Sequence, residues 1–272
     1  MVAWTSPDGR IQKEILRDGK WGDKPSEGSQ CTITITNSPF LEQFTGTVVT
    51  VGDNDGVLWR TLDTCLGTMF VGEKSKFTLS LSDTSITLVL ELVDLVFNGF
   101  IYNWDAKRKY ELALHHKEKG NALFKAKDNI EAGYRFTKAL KILLSIPIDV
   151  EEPPQSIDGV ALSDIKKLES NLFNNLSSCY FRNQSWVMVI HLCTKVFNFD
   201  PGNVKALYKI GVAYQNDRNF EKAKDAFCKL LQLEPGNKAA AEQLDCVKEE
   251  MRREEVKVNN MMKKMFTAAL DN

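Results

Sequence analysis

The sequence predicts two folded parts in series: an α+β domain with a short antiparallel sheet and one helix, followed by an all-α array of helical hairpins. Three observations carry this. Up to about Val96, apolar residues alternate and β-branched residues are dense, in CTITITN, TGTVVTV, KFTLSLS and SITLVLELVDL; a period of two is that of half-buried strands. Beyond Phe97 the apolar period becomes helical. The triplet PGN then recurs at Pro201 and Pro235, 34 residues apart, which marks an internal repeat.

Taken in order, the strands of residues 1–96 are separated by DG, GD and ND turn signals. WRTLDTCLGTMFVGEK spaces Leu62, Leu66 and Met69 at helical intervals before Gly72, which predicts one short helix on the sheet. Residues 97–105 read as a linker, with Asp105 placed to cap a helix beginning near Ala106. A 34-residue period is that of a tetratricopeptide (TPR) repeat, a pair of antiparallel helices. Gly211, Tyr214, Ala223, Phe227 and Pro235 occupy its small and aromatic positions, Gly120, Ala132, Phe136 and Ala139 repeat the series, and Tyr180, Val189 and Pro201 form a weaker one between. Three hairpins over 106–240 follow. Gly120 and its middle-repeat counterpart Ser177 are 57 apart, so an insertion near 146–163, rich in proline, is absorbed as an elongated helix and a loop. Residues 241–272 read as a charged extension helix covering the last apolar face.

Composition limits the function. Thirty-five Lys and Arg against 36 Asp and Glu leave a charge of −1, with no basic stripe for nucleic acid or a membrane surface. The most apolar run, ITLVLELVDLVF, is short and holds Glu91 and Asp94. With no signal-like start, the expectation is a soluble protein of the cytoplasm or nucleus, whose six cysteines, none in a CxxC pair, are reduced core residues. No phosphate loop or nucleophile elbow points to a cofactor or a catalytic centre. His115 and His116 are adjacent and so point apart, and His191 and Cys193 also face differently around a helix; both pairs read as structural, and no metal is expected.

The polar residues of the first helix of each hairpin look different. KEKGN puts Lys117 and Asn121 on one helical face, Asn175 takes the matching place in the second repeat, and Lys205 and Lys209 are four apart in the third. Two cations four apart repel by a few tenths of a kcal/mol, so a groove that tolerates them suits an anion. Asn can donate to a carboxylate and accept from a backbone amide, which fits an extended acidic peptide ending in a free carboxylate. On these residues the second half resembles the TPR domains of chaperone cofactors. The resemblance implies a carboxylate clamp of Lys117, Asn121, Asn175, Lys205 and Lys209 for the C-terminal EEVD peptide of heat-shock-protein-90 class chaperones, or of the 70-kDa class. Lys209 stands where that family usually has Arg, which keeps the charge and loses the planar fork.

PDGRIQKEILRDGKWGDKPSEGSQCTITI and VLWRTLDTCLGTMFVGEKSKFTLS resemble the opening strands, helix and following strand of the FKBP family of immunophilins, whose domain isomerises peptidyl-proline bonds in an aromatic pocket. The resemblance puts Ile35 where the family has a pocket Tyr and Leu62 where it has a pocket Trp. No FDSS-like segment follows CTITITN, and the late loop is cut to SLSDTSIT. Trp59 would replace the lost Trp only by a register shift that spoils the spacing to MFVGEK, so Trp59 and Leu62 read as packing residues. The implied function is a non-enzymatic co-chaperone with a degenerate isomerase domain serving as a protein-interaction module. A weak isomerase and a TPR scaffold that ignores chaperone tails are the alternatives.

Overall fold

The computed structural model describes residues 4–38, 44–81, 84–149 and 151–270. The chain divides into two compact units between Trp104 and Asp105.

In the first unit, β1 (Trp4–Thr5), β2 (Ile11–Arg17), β3 (Gln30–Thr36), β4 (Thr45–Thr50), β5 (Lys74–Leu81) and β6 (Thr84–Val96) form one antiparallel sheet in the order β1-β2-β5-β6-β3-β4. Strand alternation sends Cys31, Ile33 and Ile35 of β3, Phe77 and Leu79 of β5, and Leu88, Leu90 and Leu92 of β6 to one buried face. The helix α1 (Val57–Leu66) lays Leu62, Cys65 and Leu66 on that face. Residues 82–83 of the late loop, and 39–43 after CTITITN, lie outside the described residues.

Two features of this unit escape the sequence reading. Lys13 and Glu73, both buried, form an ion pair at 2.7 Å. Lys13 Nζ also donates to the Thr68 carbonyl, and Glu73 accepts from the Ser75 hydroxyl and the Phe70 amide, so the charges are compensated as buried charges must be. The expected linker, moreover, is not free. Asn98 Nδ2 donates to the Gly28 carbonyl at 2.6 Å, the Ser26 hydroxyl to that of Gly99, and Trp104 Nε1 to that of Asn98. The buried Trp104 ring lies so close to Gly28 that a Cβ there would meet it at 2.9 Å. Burial of that indole fastens 97–104 to the sheet unit, leaving no linker of the predicted length.

The second unit runs α2 (Ala106–Lys125), α3 (Asn129–Leu144), α4 (Leu162–Arg182), α5 (Trp186–Phe197), α6 (Val204–Asn216), α7 (Phe220–Leu233) and α8 (Lys238–Leu270). Asp105, Asp128, Asn203 and Asn219 cap α2, α3, α6 and α7, each accepting from the amide three residues on. Three turns within hairpins place Lys127, Gln184 and Arg218 in the left-handed region, at φ 69°, 56° and 59°. These positions keep the repeat spacing, but none is glycine, so no sequence signal announces them.

In the first repeat a Cβ on Gly120 would stand 2.7 Å from the Phe136 ring, and in the third a Cβ on Gly211 would stand 2.7 Å from Phe227. The aromatic ring needs a bare backbone to nest against. The middle repeat places Ser177 and Cys193 at these two positions, both buried.

The insertion is more ordered than a loop. β7 (Ser156–Ile157) and β8 (Val160–Ala161) pair through Asp158 and Gly159, at φ 47° and 80°, a two-residue turn. Asp158 Oδ2 accepts from the Ala106 amide at 2.7 Å, so the insertion helps Asp105 cap α2. Among the described residues no helix is long and apolar enough to cross a membrane.

Candidate functional site

Helix spacing places Lys117 and Asn121 on successive turns of α2, both half-buried. Asn175 on α4 donates from Nδ2 to Asn121 Oδ1 at 3.1 Å, joining the first two repeats at the amides that the sequence singled out. That bond leaves both N–H groups of Asn121, and the carbonyl oxygen and one N–H of Asn175, for a ligand. Lys205 on α6 is exposed, at a cavity of about 410 Å³ whose other walls are Ser178, Val204, Tyr208, Lys209, Asn237 and Ala239.

Lys209 differs from the expected open cation. It is buried, and its ammonium donates to the Asn174 carbonyl at 2.7 Å, Asn174 Oδ1 at 2.6 Å, Ser177 Oγ at 2.6 Å and Ser178 Oγ at 2.9 Å. Four oxygens surround three N–H donors, so its hydrogen-bonding capacity is filled within the protein. Burial is the largest influence on its acidity; opposed by Cys193 and Cys179 and aided by Lys205, it leaves the pKa lowered to about 8. The neighbouring oxygen dipoles favour the ammonium that burial disfavours.

The adjacent His115 and His116 do not point apart as their sequence spacing suggests: their rings lie with centroids 5.5 Å apart. His116 is buried with Nδ1 3.1 Å from an Arg135 guanidinium nitrogen, while His115 is exposed. His191 is exposed and Cys193 buried, so they form no dyad. Burial raises the thiols of Cys31 and Cys65 to about 12 and that of Cys179 to about 11, far from reactive thiolates. Cys246 departs from the expectation of core cysteines and faces solvent.

At the two positions where the resemblance would put a pocket, Ile35 and Leu62 are each only 1% exposed. Ile35 pairs with Leu90 across β3 and β6, and all three side chains belong to the same apolar core. Trp59 packs edge-to-face on Phe44, ring centroids 5.2 Å apart, as a packing residue would.

No family model matches the chain. A mouse protein described as FK506-binding protein-like is 30% identical over 270 residues, covering 97% of this chain and 73% of its own length. FK506-binding protein 59 of Drosophila melanogaster is 26% identical over 288 residues, covering 97% of this chain and 62% of its own. Among solved structures, the C-terminal TPR-containing domain of a Plasmodium falciparum FK506-binding protein matches at 30% identity and a TM-score of 0.51, over 57% of this chain and 98% of that one. An FKBP-type sheet unit followed by a TPR array is the architecture of the TPR immunophilins. The chain belongs to that class, in the FK506-binding protein-like family.

Proposed function

We propose that the protein is a non-enzymatic co-chaperone whose helical unit docks the acidic C-terminal peptide of heat-shock-protein-90 class chaperones, ending EEVD, while the sheet unit is a protein-interaction module. The observation that carries this reading is the Asn175–Asn121 bond. It ties two repeats at amides with free donors, flanked by Lys117 on the same face and complemented by the exposed Lys205. Such an arrangement can hold a terminal carboxylate by charge-assisted hydrogen bonds. The buried aliphatic side chains of Ile35 and Leu62 support loss of isomerase activity, since a twisted proline amide needs an open aromatic pocket and these positions are filled by core packing. Six unpaired cysteines, four of them buried, fit a reducing compartment such as the cytoplasm or nucleus.

Calorimetric titration with a pentapeptide ending EEVD tests the groove. Micromolar binding is expected, weakened about tenfold or more by Lys205→Ala or by amidation of the peptide's terminal carboxylate. Binding that ignores the amidation, or none at all, hands the protein to the scaffold reading. For the sheet unit, no acceleration of isomerisation of a proline peptide is expected; measurable turnover would restore the enzyme reading.

A further inference from the structure

We infer that Lys209 is a positioning residue for the peptide groove, holding the Asn174–Ser178 turn of α4 and through it the Asn175 amide, and is not itself a ligand contact. The inference rests on the clamp reading and changes the role of one of its five residues.

The middle repeat has the space for this role at the position where the outer repeats hold a ring. Where the outer hairpins bring a phenylalanine ring against glycine, α5 supplies the small Cys193 and α4 the hydroxyl of Ser177. Lys209 reaches that hydroxyl from the next hairpin and gathers Asn174 and Ser178 around it. The titratable groups facing it are Lys205 from its own helix, Cys179 from α4 and Cys193 from α5. Among the described residues, no carboxylate from α7 or α8 figures among the charges that act on it.

Turning Lys209 outward to meet a peptide would break bonds to four oxygens, a loss that one new contact does not recover; the Ser177 hydroxyl would keep only its own bond to the Asn174 carbonyl. Asn175 immediately follows Asn174, so a grip on the carbonyl and side chain of Asn174 fixes the rotation of α4 that aims Asn175 at Asn121. Lys205, one turn earlier on α6 and exposed, is left as the third repeat's cation for a ligand.

The test combines side-chain amide NMR of the free protein with calorimetry of the EEVD pentapeptide, on Lys209→Met, Asn174→Ala, Asn175→Ala and the Lys209→Met/Asn175→Ala double variant. In the free protein, Lys209→Met is expected to move the amide signals of both Asn175 and Asn121. With peptide, Lys209→Met should weaken binding about tenfold, and the double variant should bind no more weakly than Asn175→Ala alone, because one effect acts through the other. Asn174→Ala keeps the ammonium and loosens its tether, and about a threefold or greater weakening is expected. Equal or tighter binding by Asn174→Ala, or a double variant that loses the product of the two single effects, would overturn the inference in favour of a direct contact. Should Lys209→Met fail to fold, the Asn174→Ala result decides. Wild-type protein that ignores the peptide would sink the clamp reading alone, because unmoved amide signals in free Lys209→Met are what would sink the positioning role.

Discussion

In the first and third repeats a glycine faces a phenylalanine, Gly120 against Phe136 and Gly211 against Phe227, while the same two places in the middle repeat hold Ser177 and Cys193. All three hairpins share the left-handed turn residue, yet their interiors differ in kind. Aromatic-on-glycine contact is shape-specific and non-polar, so it contributes packing alone. The serine and cysteine leave room for a polar interior, which the neighbouring repeat fills with the Lys209 ammonium. The array thus places its glycine–phenylalanine contacts in the outer hairpins and the Lys209 ammonium against the middle one, beside Asn175; the first hairpin buries charge elsewhere, at Lys109 and Arg135.

The largest expected effect tests the apolar side of this contrast. Phe227→Ala should lower stability by about 3–5 kcal/mol in urea unfolding of the full chain, and Cys193→Ala by about 1 kcal/mol. Equal losses would erase the contrast. Gly211→Ala comes next: a Cβ 2.7 Å from the ring forces overpacking, and a net loss of about 1–3 kcal/mol is expected despite the better helix propensity of Ala.

The polar side shows in pH dependence. The unfolded chain holds the Lys209 proton up to its ordinary 10.5, the folded one only to about 8. Between those values the unfolded state binds more protons, so this residue's contribution to stability rises with pH, by about 1 kcal/mol from pH 7 to 9. Denaturation midpoints at the two pH values should show this rise in the wild type relative to Lys209→Met; an identical pH response in both would contradict it. Smallest of all, Lys127→Gly or Arg218→Gly should stabilise by less than about 1 kcal/mol by relieving a left-handed non-glycine residue, read as a small rise in thermal midpoint.

The elements that were legible in the sequence are those whose signal is local. Alternation in CTITITN, the helical run after Asp105 and the Gly120–Phe136 spacing each lie within one strand or one hairpin. The placing of Lys117 and Asn121 on one helix face was legible for the same reason, since chain geometry alone sets it. The Lys13–Glu73 pair, the Asp158 cap on Ala106 and the Trp104 anchor on Gly28 were not, because each joins distant segments and neither partner's type is unusual for its place.

By itself the sequence determined the two-unit order and the three hairpins, because periodicity and repeat spacing are properties of consecutive residues. Only the tertiary structure decided which way the proposed clamp residues turn. Lys205 and Lys209 are one turn apart and chemically identical, yet one is exposed and the other bonds to residues 31–35 positions earlier in the chain. The physical reason is that a lysine's direction is set by the oxygens within reach of its ammonium, and those are supplied by a different helix.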